Sequence, residues 1–151
     1  MIEVATDGCC KGNPGPGGWG YVIKDSRGIC NSYFGGDENT TNNRMELKAF
    51  IEAIEALRTL DEDVPVTIYL DSQYVLKGAT EWLKGWILKD WKTSQKKPVE
   101  NKDLWQQVAS LRPIWRNFDF VWVKGHDGHD LNEMADAAAN KGFEEIVLGD
   151  W

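Results

Sequence analysis

Four acidic residues of the 151-residue chain, Asp7, Glu46, Asp71 and Asp136, could do chemistry that a solvated carboxylate does not. Asp7 lies in or at the end of an apolar opening run and is followed by Gly8, so a turn-forming Asp-Gly pair is the other reading. Glu46 precedes Phe50 by four residues and Ala53 by seven, which puts it on the apolar stripe of a helix rather than on the wet face. A capping box, Asn43-x-x-Glu46, would also account for it. That box leaves unexplained the run of neutral polar side chains Thr40-Thr41-Asn42-Asn43 at the same helix end. Asp71 ends the run Val66-Thr67-Ile68-Tyr69-Leu70, either as the N-cap of the next helix or as an acid at a strand end, where open α/β sheets gather ligands. Asp136, beside Leu131, Ala135 and Ala138, reads by itself as an ordinary helix-surface acid. If the four converge at one edge of a sheet, they repel one another unless cations neutralise them. Hard oxygen donors without a Cys/His set suit Mg²⁺ or Mn²⁺ rather than zinc. Two such ions about 3.5–4 Å apart are the arrangement for in-line phosphodiester hydrolysis, one activating water and the other stabilising the leaving oxygen.

The elements that must position these acids are legible from periodicity. Residues 2–7, 18–25 and 28–35 read as strands, joined by the Asn13-Pro14-Gly15-Pro16-Gly17-Gly18 loop and the turn Asp25-Ser26-Arg27-Gly28. Phe50, Ala53, Ile54 and Leu57 fall at i, i+3, i+4 and i+7, the stripe of an amphipathic helix over about 43–59. The nearly continuous apolar run from Val64 to Leu70, with Pro65 at its start, reads as a buried strand; helical segments near 72–79, 81–89 and 100–112, a strand at about 118–123 and a helix at about 131–142 follow. Three meandering strands followed by alternating helix and strand predict one α/β domain with a mixed sheet and helices on its faces.

Composition narrows the function classes. The chain carries 17 basic and 24 acidic residues, for a net charge of −7 and a pI near 4.8, which argues against holding nucleic acid by bulk charge alone. With 42% hydrophobic residues and eight tryptophans it can build a core, and disorder is not expected. No apolar stretch approaches the ~18 residues of a membrane span, and no leader peptide is visible. Cys9, Cys10 and Cys30 are odd in number and two are adjacent, a poor disulfide framework that points to a reducing, cytoplasmic setting.

Five motifs in register give the chain a family resemblance. Thr6-Asp7-Gly8, the loop from Gly12 to Gly18, Thr40-Thr41-Asn42-Asn43-Arg44-Met45-Glu46-Leu47, Asp71-Ser72-Gln73-Tyr74 and Lys124-Gly125-His126 together resemble type 1 ribonuclease H. Each motif is weak alone, but their order and spacing match from residue 2 to about 142. The resemblance implies the ribonuclease H-like fold: a five-stranded mixed sheet, three antiparallel strands then two parallel, flanked by helices and bearing a basic handle. It implies a single catalytic domain over residues 1–151, the bacterial form, with the handle at about 81–100 and no separate hybrid-binding domain. It further implies that Asp7, Glu46, Asp71 and Asp136 hold two Mg²⁺ ions, with Mn²⁺ as a possible substitute. The implied reaction is endonucleolytic cutting of the RNA strand of an RNA/DNA hybrid by a monomer, leaving 5′-phosphate and 3′-hydroxyl ends.

His126 matches the family's loop histidine, for which proton transfer to the leaving oxygen and help with product release are the implied roles. A zinc pair with His129 is the competing reading, although the loop offers no further N or S ligands. By the same resemblance Asn42 and Gln73 read 2′-hydroxyls from the minor groove. Backbone groups around Gly8, Cys9 and Cys10 touch the RNA strand, and Asn13, Thr41 and Asn101 grip a DNA phosphate. Asn13 also reads as a turn residue, and Asn101 as an N-cap. Residues 77–102 hold seven lysines against three acids, a net +4, interleaved with Trp82, Trp86 and Trp91. That mixture suits a nucleic-acid strand, with Trp82 and Trp86 partly facing DNA and other rings packed on the core. The handle tip departs from the family, reading Trp86-Ile87-Leu88-Lys89-Asp90-Trp91 where a cluster of basic residues is usual, so a weaker grip is expected. Two other classes compete: a hybrid-binding module that has lost its chemistry, and a DNA-cutting or strand-transfer nuclease of the same broad fold. All four carboxylates are present, against the first. The intact Asn-Arg-Met-Glu and Asp-Ser-Gln-Tyr motifs and the histidine loop argue against the second.

Overall fold

The computed structural model describes residues 1–59, 64–124 and 128–149. Strands β1 (Ile2–Cys10), β2 (Gly15–Lys24) and β3 (Cys30–Thr40) form an antiparallel meander. Strands β4 (Val66–Leu70) and β5 (Phe118–Trp122) extend it on the other side of β1 as parallel neighbours, giving the order β3-β2-β1-β4-β5. This is the mixed sheet expected from the sequence. The three meander strands are longer than their apolar runs suggest, because β1 continues through Gly8-Cys9-Cys10 and β2 begins at Gly15. The turn between β2 and β3 closes with the Asp25 amide donating to the Ile29 carbonyl and the Gly28 amide to the Asp25 carbonyl.

Alternation along the strands splits the core between the two faces. Val4, Val66, Ile68 and Leu70 pack with Phe50, Ile54 and Leu57 of helix α1 (Asn42–Leu57). Ala5 and Val22 pack on the opposite face with Leu131 and Ala135 of helix α5 (Asp130–Leu148). Each fully buried large apolar side chain contributes on the order of 1.5–3 kcal/mol, so these two layers fix where α1 and α5 lie. Helix α5 extends to Leu148, beyond the end near 142 expected from the sequence, so Ile146-Val147-Leu148 is its last turn.

The segment read as two helices near 72–79 and 81–89 runs on without a break: α2 (Gln73–Lys77), a π-helical turn (Gly78–Trp82) and α3 (Leu83–Leu88). The chain reverses at Asp90 and Trp91, both at positive φ, and returns past buried Val99 into α4 (Lys102–Ser110). Trp105, fully buried, is the pivot of this excursion: its ring lies against Gly78, Tyr74 and Trp86.

Candidate active site

The acidic cluster forms where β4 stops and β1 does not. Thr6 pairs with Leu70 in the parallel ladder, so Asp7 and Asp71, the next residues, lie side by side. Glu46 reaches them from the first turn and a half of α1 because β1 carries Gly8 at the crossing. A Cβ at Gly8 would stand 2.5 Å from both the Glu46 nitrogen and the Met45 carbonyl carbon, closer than packed atoms come. On the other face Gly20, the β2 partner of Asp7, lets α5 approach equally closely. A Cβ there would stand 2.5 Å from the Ala139 nitrogen. That approach brings in Asp136, one turn earlier on α5.

Oxygens of Asp7, Glu46 and Asp71 all lie within 4.8 Å of one another. Asp136 stands at the margin of this trio, close enough to Asp7 and Asp71 to raise both their pKa values. Asp7 and Glu46 are only 5% and 7% exposed. Burial first, then the Asp71 charge, pushes the Asp7 carboxyl up to about 8. Glu46 is held well above its usual range by burial, then by Asp71 and Asp7. Asp71 is also raised by burial, partly offset by contact with the protonated forms of its neighbours. Among the described residues, Asp71 Oδ1 is buried without a hydrogen-bond partner, a costly state for a carboxylate oxygen. An oxygen-only trio that resists simultaneous ionisation, with one orphaned oxygen, fits a divalent cation ligated by carboxylates.

The simpler explanations for these acids do not hold. Helix α1 is capped by Thr41, whose Oγ1 accepts from the Arg44 amide, so Glu46 is not half of a box with Asn43. Helix α2 is capped by Ser72, whose hydroxyl accepts from the Val75 amide, which leaves the Asp71 carboxylate free of that duty. Asp7 is inside a strand rather than in a turn, although its Oδ1 does accept from the Gly8 amide at 2.8 Å. The Asp71 carbonyl accepts from Trp122 Nε1 at 3.3 Å.

The remaining candidates fall around this centre. Asn13 Oδ1 accepts from the Asn42 amide at 2.9 Å, which places Asn13, Thr41 and Asn42 together at the start of α1. Gln73 is exposed at the start of α2, beside Asp71. Cys9 and Cys10 continue β1 past Gly8; the Cys9 thiol donates to the Ala139 carbonyl, and the Cys10 thiol has the Gly15 and Thr40 carbonyls as alternative acceptors for its one hydrogen. Asn101 sits in the cap position of α4, but its side chain makes no cap bond and is engaged by Tyr74 and Arg44 instead. Trp82 is 39% exposed and packs at a tilt of 51° against half-buried Trp86, with ring centroids 5.9 Å apart. His126 lies outside the described residues. His129 has a structural duty, because its Nδ1 accepts from the Asn132 amide and so caps α5. Arg44, Tyr74 and Asp103 were not singled out as functional by sequence, since nothing in spacing shows that three helix starts meet.

Comparison with known proteins places this geometry in a family. The family model described as RNase H matches residues 1–144. A protein of Chromobacterium violaceum named ribonuclease H is 50% identical over 145 residues, covering 96% of each chain. Among solved structures, LC9-RNase H1, described as a type 1 RNase H with the type 2 active-site motif, superposes with a TM-score of 0.82. It is 30% identical, over 96% of this chain and 72% of that one. LC11-RNase H1, solved in complex with an RNA/DNA hybrid, superposes with a TM-score of 0.72 at 25% identity, covering 97% of this chain and 99% of that one.

Proposed function

The chain belongs to the ribonuclease H family, and from that premise we propose that its carboxylate cluster hydrolyses the RNA strand of RNA/DNA hybrids. The observation that carries this reading is the buried trio Asp7, Glu46 and Asp71, gathered within 4.8 Å at the end of β4. Asp7, Glu46, Asp71 and Asp136 would hold two Mg²⁺ ions, which supply water activation and stabilisation of the leaving oxygen in an in-line displacement that leaves 5′-phosphate and 3′-hydroxyl ends.

The chain's own residues contribute position and selectivity. Burial of Asp7 and Glu46 fixes their rotamers and keeps bulk water from competing for them. Asn42 and Gln73, exposed on either side of the cluster, are neutral groups that both donate and accept, which suits reading a 2′-hydroxyl. The backbone of Gly8, Cys9 and Cys10 faces the same strand. Asn13, Thr41 and Asn101 take a phosphate of the DNA strand, and Trp82 and Trp86 take its sugars on the handle. His126 serves the leaving group or product release. The protein works as a monomer in the cytoplasm. Among the described residues no helix is long and apolar enough to cross a membrane, and Cys9, Cys10 and Cys30 are free thiols.

The test is cleavage of a labelled RNA/DNA hybrid beside RNA/RNA and DNA/DNA duplexes, with Mg²⁺ and with a chelator. Cutting confined to the RNA of the hybrid and dependent on Mg²⁺ is expected. Equal cutting of all three duplexes would overturn the reading.

A further inference from the structure

Beside the acidic cluster, the starts of α1 and α4 meet α2 through a chain of side-chain hydrogen bonds that the metal chemistry does not use. The Arg44 guanidinium grips both oxygens of Asp103, Nη1 to Oδ1 at 2.9 Å and Nη2 to Oδ2 at 2.7 Å. The same Nη1 reaches Asn101 Oδ1 at 3.3 Å. Asn101 Nδ2 donates to the Tyr74 hydroxyl at 3.0 Å, and Trp105 Nε1 donates to that same oxygen at 2.9 Å. Asn101 holds this place from the left-handed region, at φ 57°, which asparagine tolerates better than most residues.

The donor and acceptor inventory decides which way these groups point. Arginine has donors only, so the edge of the Asn101 amide that faces it must be the oxygen. The Nδ2 group therefore turns to Tyr74 and keeps one of its two hydrogens to spare. The Tyr74 oxygen receives from two groups that can only donate, so its lone pairs are filled and its own hydrogen needs an acceptor. Among the described residues, no acceptor bonds that hydroxyl hydrogen or the spare Asn101 hydrogen. Two neighbouring donors thus remain, on atoms 3.0 Å apart. Paired donors of this kind match the oxygens of a phosphate.

We propose that Arg44, anchored by Asp103, is a positioning residue: it orients the Asn101 amide so that Asn101 and Tyr74 together offer two donors to one phosphate of the substrate's DNA strand. The proposal rests on the hybrid substrate put forward above. With the amide reversed, its oxygen would face the phosphate and repel it. Arg44 thus acts on the substrate through the orientation of a neutral side chain, not through its own charge, which Asp103 already neutralises.

A single uncharged methylphosphonate walked along the DNA strand tests this. In the parent protein, one position is expected to raise KM roughly tenfold, the scale of one hydrogen bond to a charged group. Arg44→Met and Tyr74→Phe should each raise KM on the unmodified hybrid by a similar factor and then no longer respond at that position, the loss falling on KM rather than kcat. Arg44→Lys, which keeps the charge but not the fork, should behave like Arg44→Met and serves if that variant fails to fold. Variants that unfold earlier yet still respond in full to the methylphosphonate would show a merely structural role and overturn the proposal. So would a parent protein indifferent at every position. A parent that cuts no hybrid at all would instead overturn the substrate reading.

Discussion

At the scale of single residues, the site stores electrostatic stress that either protons or a cation relieve. A carboxyl whose folded-state pKa is raised favours the protonated form in the fold. Its contribution to stability is present below the unfolded value of 3.8 and is lost as pH rises through the folded value, about 8 for Asp7. The metal-free protein is therefore expected to lose stability between pH 4 and pH 8, and Mg²⁺ to restore it at the upper end, where the ligands ionise most readily. Denaturant unfolding at both ends of that range, with and without Mg²⁺, measures this. Asp71→Asn should narrow the gap and stabilise the metal-free protein near pH 8 by roughly 1–2 kcal/mol, the scale of one pKa unit of relieved repulsion. A metal-free Asp71→Asn protein less stable than the parent would contradict the electrostatic account. The position of Glu46 on an apolar stripe was visible in the sequence, because helical spacing assigns faces. Which simple cap it did not make was not visible, because Thr41 and Asn43 are both good caps and only the backbone decides between them.

At the scale of elements, two close approaches build the centre. Gly8→Ala sets a methyl against the backbone of Met45 and Glu46, which cannot move aside as a side chain tip would. The variant is expected to lose about 1–3 kcal/mol of stability through overpacking. It should also lose far more activity than an equally destabilised surface variant, as thermal unfolding and cleavage rates measured together would reveal. The handle obeys a different rule. Leu88 at its tip is 78% exposed, and Ile87 beside it is also exposed, so they form no part of the core. Leu88→Lys should tighten hybrid binding and steepen the dependence of log K on log salt by about 0.9, one added phosphate contact. An unchanged slope would mean that the tip does not reach the duplex. The positions of strands and helices, and the helix faces, were legible from periods of two and 3.6 residues. Strand lengths, strand order and the meeting of α1, α2 and α4 were not, because a glycine-rich start such as Gly15–Gly18 carries no apolar signal and neither sheet order nor helix packing leaves one in local sequence.

At the scale of the molecule, a charge of −7 does not exclude a nucleic-acid partner, since residues 77–102 carry +4 and the remainder −11. The acidic body opposes binding of any polyanion by net attraction, which on the proposed reading leaves recognition to the basic segment 77–102, Asn42, Gln73 and the carboxylate cluster. Neutralising exposed acids on α5, as in Glu144→Gln with Glu145→Gln, should raise affinity for duplex DNA several-fold at low salt while leaving hybrid cleavage at saturating substrate unchanged. The effect should fade as salt screens it, over a Debye length of about 8 Å at physiological ionic strength. Affinity that stayed constant would show that the body's charge has no part in selectivity. The central claim is that these carboxylates, as one unit, cut hybrid RNA. Single-turnover cleavage of an end-labelled hybrid in Mg²⁺, comparing the parent with Asp71→Asn, tests it most directly. The account predicts rapid cutting by the parent and a rate lower by at least about 10³ for the variant, the loss of roughly 4 kcal/mol of transition-state stabilisation, with the variant still folded and still binding the hybrid. Full activity in Asp71→Asn would contradict it.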